Sequence, residues 1–256
     1  MRPADELRST VEAYLGSLRF SSDLGGLEEP MRYSLESGGK RVRPVLCLAV
    51  ADACGGSVED ALPAAAALEL VHTFSLVHDD LPALDDDAER RGRPSAHVAF
   101  GEGVALLAGD ALLAEAFRLA LAYERGQVAR ELVDATLGMI GGQYRDITGD
   151  DADLDELHRL KTGRLFVAAV RIGLDVAGTP EGERAAWLAF GEDVGVLFQV
   201  VDDLLDGDGY AERLGRNGAS RLAEEVAQRA RSRLDELTVD TTVLRHLVDT
   251  LAVRTI

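Results

Sequence analysis

Cysteine is nearly absent: Cys47 and Cys54 are the only two in 256 residues. A disulfide scaffold is therefore excluded, and two thiols seven residues apart on one helical face read as small buried hydrophobes rather than a bridge or a metal site. Aromatic residues make up only 5% of a chain that is 46% hydrophobic. The apolar content excludes a disordered chain, and its Ala and Leu bias points to helix rather than sheet. No stretch of some 18 uninterrupted apolar residues occurs, and no charged-then-apolar leader opens the sequence, so the expectation is a soluble, cytoplasmic protein without stable membrane insertion. Basic residues are also in short supply, 27 Lys and Arg against 45 Asp and Glu, for a net charge of −18. That balance argues against nucleic acid and anionic membranes as partners; a phosphate ligand would need local basic spots or bridging cations. Nor is there a Ser/His/Asp or Cys/His arrangement of the kind used in nucleophilic catalysis.

Helical periodicity runs almost throughout. It predicts helices over 3–18, 41–54, 58–80, 98–124, 128–147, 153–177 (broken near Gly163), 181–206, 218–237 and 242–253. The punctuation agrees: Gly55-Gly56 stops one helix, Ser57 with Asp60 opens the next, and Thr179-Pro180-Glu181 opens another. No alternating strand pattern competes and no linker divides the chain, so residues 1–256 are expected to form one all-α domain. Segments 61–79, 101–122 and 163–177 are apolar on more than one face, the mark of inner helices in a large bundle.

Two of these helices end in paired acids, LVHDD at 76–80 and QVVDDLLD at 199–206. Carboxylates at a helix C-terminus face its partial negative charge, so they are electrostatically misplaced. Two such rims make sense when hard divalent cations lie between them, since Mg²⁺ favours one or two carboxylates plus substrate phosphates. Asp202 and Asp206, spaced i, i+4, are expected to face one way. DGDGYAER at 206–213 fails as an EF-hand loop, because Tyr210 and Ala211 stand where a ligand and the obligatory glycine belong. Asp86 and Asp87 read as a solvated acidic loop. A phosphate-bearing ligand requires cations, and these occur in GGKRVRP at 38–44, in Arg90-Arg91, and in Lys161-Thr162 ahead of an apolar helix.

The succession GGKRVRP, ELVHTFSLVHDDLPALDDDAERRGRPSAH, GDALLAEAF, GGQYRDITG, HRLKTGRLF and FQVVDDLLD, over roughly residues 28–212, resembles the trans-polyprenyl diphosphate synthases. Asp79, Asp80 and Asp85 match the longer DD-x4-D spacing of the bacterial short-chain branch. The resemblance implies an isoprenoid synthase fold, a large helical bundle around a central cavity, and a homodimer. It implies Mg²⁺-dependent condensation of isopentenyl diphosphate with an allylic diphosphate (dimethylallyl or geranyl). Asp79, Asp80 and Asp85 would hold Mg²⁺ from one side; Asp202, with Asp203 and Asp206, would hold it from the other. Arg90, Lys161, Thr162 and Gln199 would contact the allylic diphosphate. Lys40, Arg43, His72 and Arg91 would bind isopentenyl diphosphate. Phe74 and Ser75, one turn below Asp79, would set chain length. The expected product is farnesyl diphosphate, with a geranyl or geranylgeranyl product, or a non-catalytic subunit of a heteromeric synthase, as alternatives; Phe74 could equally be ordinary core packing. One departure stands out. The family's lysine-bearing loop after the second acidic motif is missing, and no lysine follows Lys161.

Overall fold

The computed structural model describes residues 2–149 and 153–253. The helices, in chain order, are α1 (Ala4–Ser17), α2 (Glu28–Leu35), α3 (Val42–Ala53), α4 (Val58–Asp79), α5 (Ala96–Phe100), α6 (Glu102–Ala120), α7 (Gln127–Thr148), α8 (Leu154–His158), α9 (Arg164–Ala177), α10 (Ala185–Asp206), α11 (Gly209–Leu214), α12 (Arg216–Asp235) and α13 (Thr242–Ala252). α4 packs against α3 and α6, α3 against α9, and α9 against α10, which is covered in turn by α12. One continuous apolar cluster runs through all of them, from Leu7 to Leu251. α4 is the one described helix long and apolar enough to cross a membrane by length and composition, and 67% of that window is buried against its neighbours.

Several boundaries depart from the periodicity. The expected helix over 98–124 is two, because Gly101 adopts φ 89° between α5 and α6. α2 and α11 were not anticipated; both are short, and 3₁₀ turns flank the bundle at Ser22–Leu27 and Glu181–Glu183. A small hairpin joins β1 (Glu89–Arg90) to β2 (Arg93–Pro94). Its two-residue loop, Arg91-Gly92, has φ 57° and 77°, the double positive value that matches the twist of paired strands. The break expected near Gly163 is a π-helical turn at Arg159–Gly163, between α8 and α9.

One buried ion pair ties the basic segment to the core. Arg41, itself at φ 49° ahead of α3, bonds Glu69 of α4 at 2.6 Å and Glu12 of α1 at 2.8 Å. Its side chain and that of Glu69 are 2% and 3% exposed. Removing one partner of such a pair costs about 3–5 kcal/mol, because the remaining charge stays buried. Arg41 therefore belongs to the scaffold, and it sets the direction of its neighbours Lys40 and Arg43.

Candidate active site

A cavity of ≈ 390 Å³ opens between α4, α7, the π-turn and α10. Asp79, the last residue of α4, and Asp202, near the end of α10, both line it. Its walls are largely apolar, with Phe74, Leu76, Leu84, Met139, Ile140 and Phe198 contributing. Burial pushes the Asp79 carboxyl up to about 6; Lys161 pulls it down and Asp85 adds to the rise. Asp85 is raised too, chiefly by partial burial, and its backbone N–H bonds the Asp79 carbonyl at 2.9 Å. Burial outweighs the nearby Lys161 and Arg90 at both carboxyls.

The second aspartate of each pair lies elsewhere. Asp80 is buried and takes up the Arg90 guanidinium, whose Nε reaches Oδ1 at 2.9 Å. The pair lies in a small separate hollow between α2, α4 and the hairpin. The structure thus gives Asp80 an anchoring place instead of the cavity-facing one expected, because consecutive helical residues point about 100° apart. Arg90 is drawn away with it, bonding Asp80 and Asp87 rather than lining the cavity. Asp206 is exposed at the last residue of α10, where Gly207 at φ 83° ends the helix, and it does not share the cavity wall with Asp202.

Asp203 closes a chain of hydrogen bonds. Thr162 Oγ1 donates to Gln199 Oε1 at 2.6 Å, and Gln199 Nε2 donates to Asp203 Oδ1 at 2.6 Å. The Tyr210 N–H then donates to Asp203 Oδ2 at 2.8 Å, and the Tyr210 hydroxyl to Asp155 at 2.6 Å. Thr162 and Gln199 face the cavity, so the chain orients both from behind. Lys161 lines the cavity from the π-turn and forms an ion pair with Asp146 of α7. The approach is close: a Cβ on Gly142 would lie 2.5 Å from the Lys161 backbone nitrogen. Only glycine lets α7 pack against this turn.

The basic pocket is partly as expected. Arg43 and His72 line the cavity. Arg43 is buried, stacked 4.5 Å from the Phe166 ring centroid, and its Nε has no hydrogen-bond partner among the described residues. Burial lowers its pKa to about 10. His72 is held well below its usual value by burial and by Arg43, Arg91, Arg41 and Arg90, so it is a neutral imidazole. Lys40 is exposed, with its ammonium 5.9 Å from the Phe198 ring. Arg91 bonds the Gly38 carbonyl, which fastens the hairpin to the 38–40 segment.

Phe74 and Ser75 both line the cavity, and Phe74 meets His78 edge-on at 4.9 Å. His78 was missed from the sequence, as was Gln143. The latter lines the cavity with both amide atoms buried and unpartnered among the described residues. Gln143 stood inside GGQYRDITG; a helical phase that places Met139, Gln143 and Ile147 on one inner stripe was the available signal.

Among the described residues, no three His, Cys, Asp or Glu side chains group closely enough to hold a metal ion by themselves. Asp79 and Asp202 instead offer all-oxygen donors from two helix ends on one cavity, a set that fits Mg²⁺ completed by substrate phosphates and water.

A helical bundle with a deep apolar cavity, entered by carboxylates from two helix ends, by the buried Arg43 and by the half-buried Lys161, has the isoprenoid synthase fold. The polyprenyl synthetase family model matches residues 25–226. Geranylgeranyl diphosphate synthase of Cyanophora paradoxa is 43% identical over 215 residues, 78% of this chain and 71% of that protein. Farnesyl diphosphate synthase of Bacillus subtilis (strain 168) is 38% identical over 229 residues, 83% of this chain and 77% of that protein. The crystal structure of a geranyltransferase from Legionella pneumophila has a TM-score of 0.89 at 31% identity, covering 98% of this chain and 96% of that one. The chain belongs to the polyprenyl synthetase family, and it is a prenyltransferase.

Proposed function

We propose that this chain condenses isopentenyl diphosphate with an allylic diphosphate and that its main product is farnesyl diphosphate. The observation that carries this reading is the convergence of Asp79, Asp202, Lys161 and Arg43 on one apolar cavity. Lys161, Thr162 and Gln199 hold the allylic diphosphate, with the hydrogen-bond chain through Asp203 fixing Gln199. Mg²⁺, held by Asp79, Asp85 and Asp202 when bound, supplies positive charge to the leaving diphosphate. Arg43, with its unpartnered Nε, receives the second diphosphate together with neutral His72, Lys40 and Arg91.

Reaction begins when the allylic C–O bond breaks and its electron pair leaves with the diphosphate. The Lys161 ammonium stabilises the developing charge without reorganising. The double bond of isopentenyl diphosphate, positioned by the second basic set, attacks the allylic carbon. A proton lost to the departed diphosphate restores a double bond. The apolar walls keep water from the cation.

Chain length follows from the floor of the cavity. Phe74 and His78 stand there edge to face, and His78 is seated against α6 where a Cβ on Gly109 would lie 2.3 Å from its ring. A floor closed by these two packed rings favours the fifteen-carbon product over a longer one. Two copies of the chain are proposed to pair through α6 and α7, where Leu107, Leu137, Ile140 and Tyr144 are 50%, 62%, 47% and 63% exposed. Purified chain incubated with labelled isopentenyl and geranyl diphosphates and Mg²⁺ should yield farnesyl diphosphate, and Phe74→Ala should lengthen the product. An unchanged length distribution in Phe74→Ala would remove the gatekeeper. No product at all would favour the partner-subunit reading, which the missing lysine loop supports.

A further inference from the structure

A second hollow, ≈ 690 Å³, lies behind the active cavity, between the π-turn, α9, α10, α11 and α12. Its size falls within the roughly 300–1,000 Å³ of small-molecule sites. Five arginines and three carboxylates line it, on a chain of net charge −18. Arg159, Arg171 and Arg229 are paired with Glu156, Glu131 and Asp193. Arg164 and Arg213 have no ion pair to a carboxylate among the described residues. Val167, Val196, Leu214 and Leu222 give the same hollow an apolar side. His158 also lines it, with its Nδ1 buried and unpartnered among the described residues. α11 is the short connection that stands where the resembling family has its longer, lysine-bearing loop.

We infer that this hollow is a second binding site for a prenyl diphosphate: the diphosphate on Arg164 and Arg213, the apolar chain on the valines and leucines. This rests on the functional reading above only for the ligand's class, since the protein would make such a molecule. The hollow communicates with the reaction cavity through a shared wall. Gln199 lines both, and Tyr210, which lines the rear one, donates its N–H to the Asp203 that holds Gln199. An occupant displacing α11 therefore disturbs the side chains that position the allylic diphosphate.

Titration calorimetry in excess chelator, which deprives the front cavity of its Mg²⁺-dependent binding, tests the site directly. Farnesyl diphosphate should bind the wild-type chain, more tightly than inorganic diphosphate or farnesol alone. Arg213→Glu, a change at an exposed position that leaves the core untouched, should weaken binding by at least about tenfold, as loss of a charge-assisted contact does. Arg164→Gln should weaken it similarly, while Arg43→Gln in the front cavity should not. In condensation assays, the part of farnesyl diphosphate inhibition that excess allylic substrate does not relieve should vanish in Arg213→Glu. Equal affinity for inorganic diphosphate, binding indifferent to Arg213→Glu, or binding abolished by Arg43→Gln would each overturn the inference. Condensation by wild type with Mg²⁺ tests the functional reading separately, so a chain inactive there but binding in chelator fails one and supports the other.

Discussion

The two acidic helix ends look alike in sequence and share a division of labour in space. In each, the first aspartate (Asp79, Asp202) lines the cavity, and the second (Asp80, Asp203) is buried and bonded sideways to the next segment of chain. Those next segments differ. After α4 the chain turns back through a hairpin that returns Arg90 to Asp80 at the end of the helix it left and carries Arg91 to the Gly38 carbonyl. After α10 it passes through α11, and Asp203 is satisfied by an amide and a backbone N–H, with no cation returned. One acidic tip is charge-compensated by its own continuation; at the other, Asp203 meets neutral dipoles, and the cation that Asp202 feels is Arg43, brought from α3 rather than from the following chain. Paired aspartates at a helix end thus specify a cavity ligand plus an anchor, and the anchor's partner decides how much charge the tip retains.

The largest test of that contrast concerns the cavity-facing pair. Asp79→Asn and Asp202→Asn each remove one oxygen anion from the diphosphate's surroundings. Losing one preorganised electrostatic partner typically costs about 10²–10³ in kcat, and each variant should fall in that range in a condensation assay with folding intact. Asp79 should be the costlier of the two, since Asp85 and Lys161 are both coupled to it. A variant at either position with undiminished kcat would mean the two tips do not serve one reaction.

The anchors should separate by stability instead. Asp203→Ala strips the acceptor from both the Tyr210 N–H and the Gln199 amide, and leaving buried groups unsatisfied costs about 1–3 kcal/mol. Asp80→Ala frees Arg90, whose side chain is 30% exposed and can turn to water, so its cost should be smaller, about 1–2 kcal/mol. Denaturant melts would check the order. Asp203→Ala should also raise the KM for the allylic substrate, because Gln199 loses its hold.

Much of this was legible before any coordinates. Helix existence and the apolar inner helices follow from periodicity, and the two acidic helix ends stand out as acids placed against the helix dipole; the convergence of residues near 79, 161 and 202 on one cavity was what the family resemblance implied. Local chemistry does not reveal which of two adjacent aspartates faces inward, because that depends on helical phase relative to a distant neighbour. Arg41 shows the same limit. In GGKRVRP it is indistinguishable from Lys40 and Arg43, yet its partners Glu12 and Glu69 come from α1 and α4, and only the tertiary arrangement makes it scaffold. α11 and the hairpin escaped notice because they are shorter than a periodic signal needs.

Acid should act on the first tip through Asp79. Its folded pKa of about 6 lies above the ordinary 3.8, so the ionised carboxylate costs stability above about pH 6, and that cost is relieved as pH falls through 6 toward 3.8. Cation binding requires the ionised form. The rise in melting temperature on adding Mg²⁺ with inorganic diphosphate should therefore be full at about pH 7.5 and shrink as pH drops through about 6, with affinity falling roughly tenfold for each further unit. In Asp79→Asn this portion of the pH dependence should be absent.

The smallest effect belongs to the acids that neither tip uses. Asp87 is exposed and meets Arg90 at 3.1 Å, while the same guanidinium is already held by buried Asp80. An exposed pair three residues apart is worth about 0.2–1 kcal/mol and is screened by salt. Asp87→Ala should then shift stability by no more than about 0.5 kcal/mol and change kcat less than about twofold, and both effects should fade at high ionic strength. A larger loss would show that Asp87, rather than Asp80, secures the returning arm, and the anchoring role given to the second aspartate of the first motif would pass to it.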